Sequence, residues 1–171
     1  WRWQQQQGTL GWMLDFRGLT PGLDVSLRTT AGSDLRLAGW LGGSGAQNWR
    51  LLQVRASVPV SLVAERIPQG GADGRADASI MEFAVQDGRV TEARATLQYG
   101  GGTVTWGRSG SAVVPVLQGR VSMEGEDPVL EVTSPEGRQL MNARLSEGRF
   151  QLEVFRAWPI LLGVSQGGQP D

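Results

Sequence analysis

The triplet acid-Gly-Arg occurs four times, as Asp73-Gly74-Arg75, Asp87-Gly88-Arg89, Glu136-Gly137-Arg138 and Glu147-Gly148-Arg149. Most copies stand between stretches in which apolar and polar residues alternate. Glycine takes the positive φ of a tight turn without steric cost, and a period of two marks a strand with one covered face. Each copy therefore predicts a hairpin, with the Arg opening the next strand on a solvated edge. Turn signals recur mostly every 10 to 15 residues along the chain, the length of one strand and one turn. The fold class that follows is mainly β. We expect an antiparallel meander in a strongly curved sheet or half-barrel.

Leu10, Trp12, Leu14 and Phe16 alternate with Gly11, Met13, Asp15 and Arg17, which predicts a half-buried strand. Pro21-Gly22 then reads as a turn, followed by a strand on Leu23, Val25 and Leu27. Gly32-Ser33 is the next turn, and Leu35, Leu37, Gly39 and Leu41 the next strand. The run Gly42-Gly43-Ser44-Gly45 reads as a loop before a strand at 49–54. Over 58–67 the period changes. Val60, Val63 and Ile67 fall at helical spacing, Pro59 suits a first helical turn, and Pro68 with Gly70-Gly71 stops it. Strands resume at 75–86, where Ile80, Phe83 and Val85 break alternation and predict a bulge near Met81 or Glu82. Further strands are expected at 89–99, 103–108, 111–123, 127–133, 139–145 and 149–156. Pro115 inside one of them marks an edge or a bulge, because proline cannot donate to a ladder.

The segment from Arg55-Ala56 through Pro59 to Gln69-Gly70-Gly71 is echoed by Arg156-Ala157, Pro159 and Gln166-Gly167-Gly168. This suggests one domain, 1–171, made of similar halves 1–72 and 73–171, each closed by a short helix. A chain of this length buries roughly 70% of its unfolded surface without disulfide or metal.

Chemistry is scarce. The chain has no His and no Cys, and all 16 basic residues are Arg. Ser-His-Asp and Cys-His nucleophiles are impossible, as is a zinc site with nitrogen or sulfur ligands, and without Lys there is no Schiff base or P-loop lysine. The wholesale use of Arg for Lys fits a GC-rich genome. Glu124, Glu126 and Asp127 cluster in one turn, where oxygen ligands suit calcium; a solvated acidic turn is the plainer reading. Asp15, Asp24, Asp34, Asp77 and Glu131 fall mostly at the polar positions of strands, so a paired-carboxylate hydrolase is not expected either. We expect no enzyme, no metal and no cofactor. The Arg residues are spread along the chain and net charge is −1, against nucleic-acid binding, which needs a clustered basic face. No apolar run reaches the ~20 residues of a spanning helix. The start at Trp1, inside an alternating segment, leads us to expect a membrane anchor upstream.

Seven Trp residues remain. Trp12 shares a face with Leu10, Leu14 and Phe16 and reads as core. Trp40 falls opposite to Leu37 and Leu41 and so is expected to point outward, and Trp106 lies beside a turn. Trp40 and Trp106 are the candidate contact surface, since exposed aromatics mark interaction sites; the plainer reading of each is a core residue or a barrel-end plug.

Taken in order, Trp1-Arg2-Trp3, Gly39-Trp40, the Pro59-to-Ile67 helix, Tyr99-Gly100, Val104-Thr105-Trp106 and the closing Ala157-Trp158-Pro159 resemble the type II secretion system protein N family over nearly the whole chain. The resemblance implies a Gram-negative inner-membrane protein with one transmembrane anchor and a β-rich periplasmic domain, which this chain would mostly be. It implies an accessory role through protein–protein contacts with other secretion-system proteins, and it brings no catalytic residues. The alternative from the residues themselves is a half-barrel whose concave apolar face holds a lipid or other hydrophobic ligand of the cell envelope.

Overall fold

The computed structural model describes residues 2–3, 6–31, 34–64, 70–107, 110–146 and 148–157. The elements in chain order are β1 (Arg2–Trp3), β2 (Gln6–Arg17), β3 (Thr20–Ala31), β4 (Arg36–Gly45), β5 (Asn48–Pro59), α1 (Ser61–Ala64), β6 (Gly70–Ala72), β7 (Arg75–Gln86), β8 (Arg89–Tyr99), β9 (Gly102–Trp106), β10 (Gly110–Val114), β11 (Leu117–Glu124), β12 (Asp127–Thr133), β13 (Gln139–Ser146) and β14 (Arg149–Val154). Eleven strands form one sheet in the order β1-β2-β3-β4-β5-β7-β8-β11-β12-β13-β14, and β10-β9-β6 form a small second sheet. Every pairing is antiparallel.

The turn logic holds at the acid-Gly-Arg sites. Asp87 and Gly88 both carry positive φ (49° and 74°) between paired Gln86 and Arg89, the backbone of a two-residue hairpin whose twist matches its strands. The copies at 136–138 and 147–149 join β12 to β13 and β13 to β14, whereas Asp73-Gly74-Arg75 leads from the small sheet back into the large one. Other turns move. Pro21-Gly22 is not a turn but lies inside β3, with Gly18-Leu19 making the reversal, and Gly42 to Gly45 lies inside β4, before a turn at Ala46-Gln47. Gly18 sits at φ 63°, a value that Pro21 cannot reach. The turn expected at Gly32-Ser33 lies outside the described residues.

The bulge expected near Met81 is present: Ile80 faces Ala95 and Glu82 faces Arg94, leaving Met81 unpaired against β8. β5 has a matching irregularity at Gln53, whose φ is 52°. The two keep Val54 and Leu51 on the same face as Ile80 and Phe83. Pro115 ends β10, and β11 begins at Leu117 in the other sheet, so the proline stands where the chain changes sheets.

Neither the strong curvature nor the full length of the first helix expected from sequence is borne out. The sheet is open, with neither a closed barrel nor a strong curl. Closure needs end strands that can pair along their length, and here β1 has 2 residues and β14 has 6 against 12 in β2. The helix expected over 58–67 is a single turn at Ser61–Ala64, and Pro59 ends β5 opposite Arg75 instead of opening a helix. The later helix expected from Pro159 lies outside the described residues. Between 1–72 and 73–171 the sheet is continuous, because β5 pairs with β7 from Trp49↔Val85 to Pro59↔Arg75.

The large sheet is a single layer, and the surface shows it. The chain exposes 11918 Å², where a compact protein of its mass exposes roughly 8200 Å². It therefore buries about 55% of its unfolded surface instead of the roughly 70% expected from length. The buried apolar residues are few: Trp40, Val54, Ala84, Val85, Ala93, Val114, Val129, Leu140 and Ala143.

Candidate functional site

In an antiparallel ladder, directly opposed residues project to the same face, so the register maps each face of the sheet. One unbroken row runs Thr9, Arg28, Arg36, Ser57, Asp77, Gln98, Gln118, Thr133. Two residues along each strand, a parallel row runs Ser26, Ala38, Arg55, Ser79, Thr96, Arg120, Glu131. These rows share one face and wall a trench of about 1140 Å³. Its floor is the backbone of the intervening row, Leu27, Leu37, Ala56, Ala78, Leu97 and Gly119, whose side chains go to the opposite face. At the β12 end the lining includes Glu131 and Thr133 and omits Val132 between them, as a polar-face trench requires. The trench crosses eight strands at right angles, so it is about 34 Å long and its walls stand about 7 Å apart.

A hydrogen-bonded chain fixes one margin of the trench. Asp34 accepts from Arg36 Nε at 3.1 Å and from Arg75 Nη2 at 3.1 Å. Arg75 Nη1 donates to the Asp34 carbonyl at 2.9 Å and to Ser57 Oγ at 2.8 Å, and Ser57 Oγ donates to Asp77 Oδ1 at 2.5 Å. Arg28, Arg55 and Arg120 are exposed and have no ion pair among the described residues.

The opposite face is apolar and largely uncovered. On β2, Leu10, Trp12, Leu14 and Phe16 are 51–69% exposed. Beyond Gln7 the outer edge of β2 has no strand beside it among the described residues. At the far end, β14 exposes Phe150, Leu152 and Val154, and no strand lies along its outer edge among the described residues. Among the described residues, both ends of the sheet thus combine an apolar strip with a strand edge that no other strand covers. Trp12, read as core from its pattern, is 69% exposed because no second layer covers its face.

The expected contact residue Trp40 is a correction: it is 1% exposed. It does lie on the face away from Leu37 and Leu41, but its ring covers two glycines of that face. A Cβ on Gly22 would come within 2.3 Å of Trp40 Cζ2, and one on Gly42 within 2.1 Å of Cη2. The indole Nε1 donates to the Asp15 carbonyl at 3.4 Å. Alternation predicts the face of a side chain; it does not predict a neighbour small enough to bed it. Trp106 is in β9, opposite Gly70 and Gly110, and its side chain lies outside the description. The two therefore do not form a described surface.

The acidic turn has its own cation. Arg144 pairs with Glu124 and, at 3.2 Å, with Asp127, so a guanidinium lies against two of the turn's carboxylates. Among the described residues no cluster of metal-ligating side chains occurs. Asp15 and Asp24 share Arg17, at 3.0 and 3.9 Å. Asp77 and Glu131 stand on opposite walls of the trench three strands apart, about 16 Å, well beyond the separation of a glycosidase pair.

Two groups titrate away from their ordinary values. Tyr99 is pushed up, first by burial and then by the Asp73 charge; its hydroxyl donates to the Asp73 carbonyl at 2.8 Å, tying the large sheet to the small one. Glu136 is held down by the Ser134 hydroxyl, which donates to it at 2.7 Å, with help from its own backbone N–H and from Arg138.

The trench and the edge strips were not found from the sequence. The polar positions were visible, but they line up across strands only once the register is known. The groove also lies on the polar face, not on the apolar one expected to hold a lipid.

A family model described as "Type II secretion system (T2SS), protein N" matches residues 1–168. No curated protein and no solved structure matches the chain. No helix among the described residues is long and apolar enough to cross a membrane.

Proposed function

The chain belongs to the type II secretion system protein N family and so is a component of that secretion machinery; from this premise we propose that it is a periplasmic accessory subunit, held at the inner membrane of a Gram-negative cell, that acts as one unit through protein–protein contacts. The observation that carries the reading is the uncovered end of the sheet at β2. An open edge accepts a partner strand through main-chain hydrogen bonds, and alternate side chains set specificity. On β2 those side chains are Leu10, Trp12, Leu14 and Phe16, an apolar ladder beside the edge. A strand from another secretion component, laid along β2, would extend the sheet and cover the ladder together.

A photo-crosslinking residue at position 12 or 14 tests this in cells that assemble the machinery. The expected product joins this chain to another component of the secretion system. Crosslinks confined to the trench face, or none to any secretion component, would sink the proposal.

A further inference from the structure

The trench lies on the face away from the β2 ladder, and nothing above assigns it a ligand. We propose that it binds an extended acidic peptide, laid across the strands, whose carboxylates pair with Arg55 and Arg120.

Charge comes first. The lining holds four guanidiniums, Arg28, Arg36, Arg55 and Arg120, against two carboxylates, Asp77 and Glu131. The chain as a whole is at −1, so the trench is a local excess of positive charge on an acidic protein. Arg36 is already held by Asp34. Arg28, Arg55 and Arg120 have no ion pair among the described residues and remain available for bidentate capture of a carboxylate.

Spacing selects the ligand next. Arg55 and Arg120 sit on the same wall, three strands apart, about 14 Å. An extended chain advances about 3.3–3.6 Å per residue, so acidic residues four apart match that span. The trench is about 34 Å long and seats roughly ten such residues. Between the two arginines the wall carries Ser79 and Thr96, facing Asp77 and Gln98 across the floor. These donors and acceptors suit the backbone of a peptide, whose every residue carries one N–H and one C=O. No aromatic ring is among the lining residues, so there is no platform on which nucleotide bases could stack.

The test uses the whole chain and three fluorescein-labelled peptides of about twelve residues. The first has glutamates at every fourth position, the second has the same composition with its glutamates contiguous, and the third has glutamines in their place. The expected result is binding of the first, at least tenfold weaker binding of the second, and none of the third. Arg55→Gln and Arg120→Gln should each weaken the first peptide about tenfold, while Arg89→Gln, at an exposed arginine outside the trench, should leave it unchanged. All three positions are exposed, and circular dichroism should show that each variant is folded. A photoreactive group on the first peptide gives a readout that needs no variant, with crosslinks expected on β5 and β11. Equal binding of the first two peptides, an equal loss in Arg89→Gln, or crosslinks outside the trench would overturn the proposal. So would displacement of the peptide by anionic phospholipid vesicles or an acidic oligosaccharide at lower concentration, which would assign the trench to that ligand. Failure here leaves the β2 contact untouched, since the two surfaces face opposite ways.

Discussion

Trp40 shows how much a single side chain carries in a one-layer sheet. Its indole is the largest fully buried side chain among the described residues, and it lies where Gly22 and Gly42 leave the backbone bare. Trp40→Ala should lower stability by about 3–5 kcal/mol, read from urea unfolding. Gly42→Ala should cost about 1–3 kcal/mol by forcing the ring aside, and should shift tryptophan emission to the red as the indole gains water. Tyr99 offers a second test, because it is the sole tyrosine and its absorbance is unambiguous. Burial and Asp73 raise its pKa, so the folded state holds the phenol proton more tightly than the unfolded chain. The linked stabilisation is complete below the ordinary tyrosine value and is lost as pH rises through the raised one. Tyrosinate absorbance should therefore appear at higher pH in the folded protein than in urea, and Asp73→Asn should narrow the gap. Glu136 has the opposite sign: its contribution is present at neutral pH and fades as pH falls through the lowered value. Ser134→Ala should raise that value, as followed by carboxylate NMR.

At the scale of elements, hairpins and edges behave differently under mutation. Gly88 and Asp87 both need positive φ, so Gly88→Val should cost about 1–2 kcal/mol from backbone strain alone. Leu152→Lys on the open β14 strip, where every residue is exposed, should leave the melting temperature within about 1 °C, since surface changes are usually near neutral. The same change should reduce self-association at high concentration, read by light scattering, because charge on an edge strand discourages pairing. These elements were unevenly legible beforehand. β7, β8 and β12 begin and end at the residues where alternation and turn chemistry placed them, and the slip from Ile80 to Phe83 announced its bulge. Pro21-Gly22 misled because both residues also fit an extended strand, and only the partner strand decides. The trench was illegible for a related reason. Arg55 and Arg120 are 65 positions apart in sequence, and nothing local says that Ser79 and Thr96 stand between them.

For the whole molecule the governing fact is area. A sheet that buries about 55% of its unfolded surface, not about 70%, exposes less new surface on unfolding. The urea m-value scales with that difference, so it should be about four-fifths of the value for a compact domain of equal length. A normal m-value would mean that the uncovered faces are covered in solution, by self-association or by a bound molecule. A partner that covers the β2 ladder should correspondingly raise the melting temperature, by an amount that grows with the logarithm of its concentration over its Kd.

The strand order has one more consequence. In the large sheet only two pairs skip elements, β5–β7 past α1 and β6 and β8–β11 past β9 and β10; every other pair is made of chain neighbours. A topology of this kind has low contact order for a β protein and pays little loop-closure entropy at each step. Strands can dock one after another in chain order, with no need to wait for the C-terminal end. The growing edge is thus covered by each strand that follows, and in the complete sheet only the outer edges of β2 and β14 stay uncovered among the described residues.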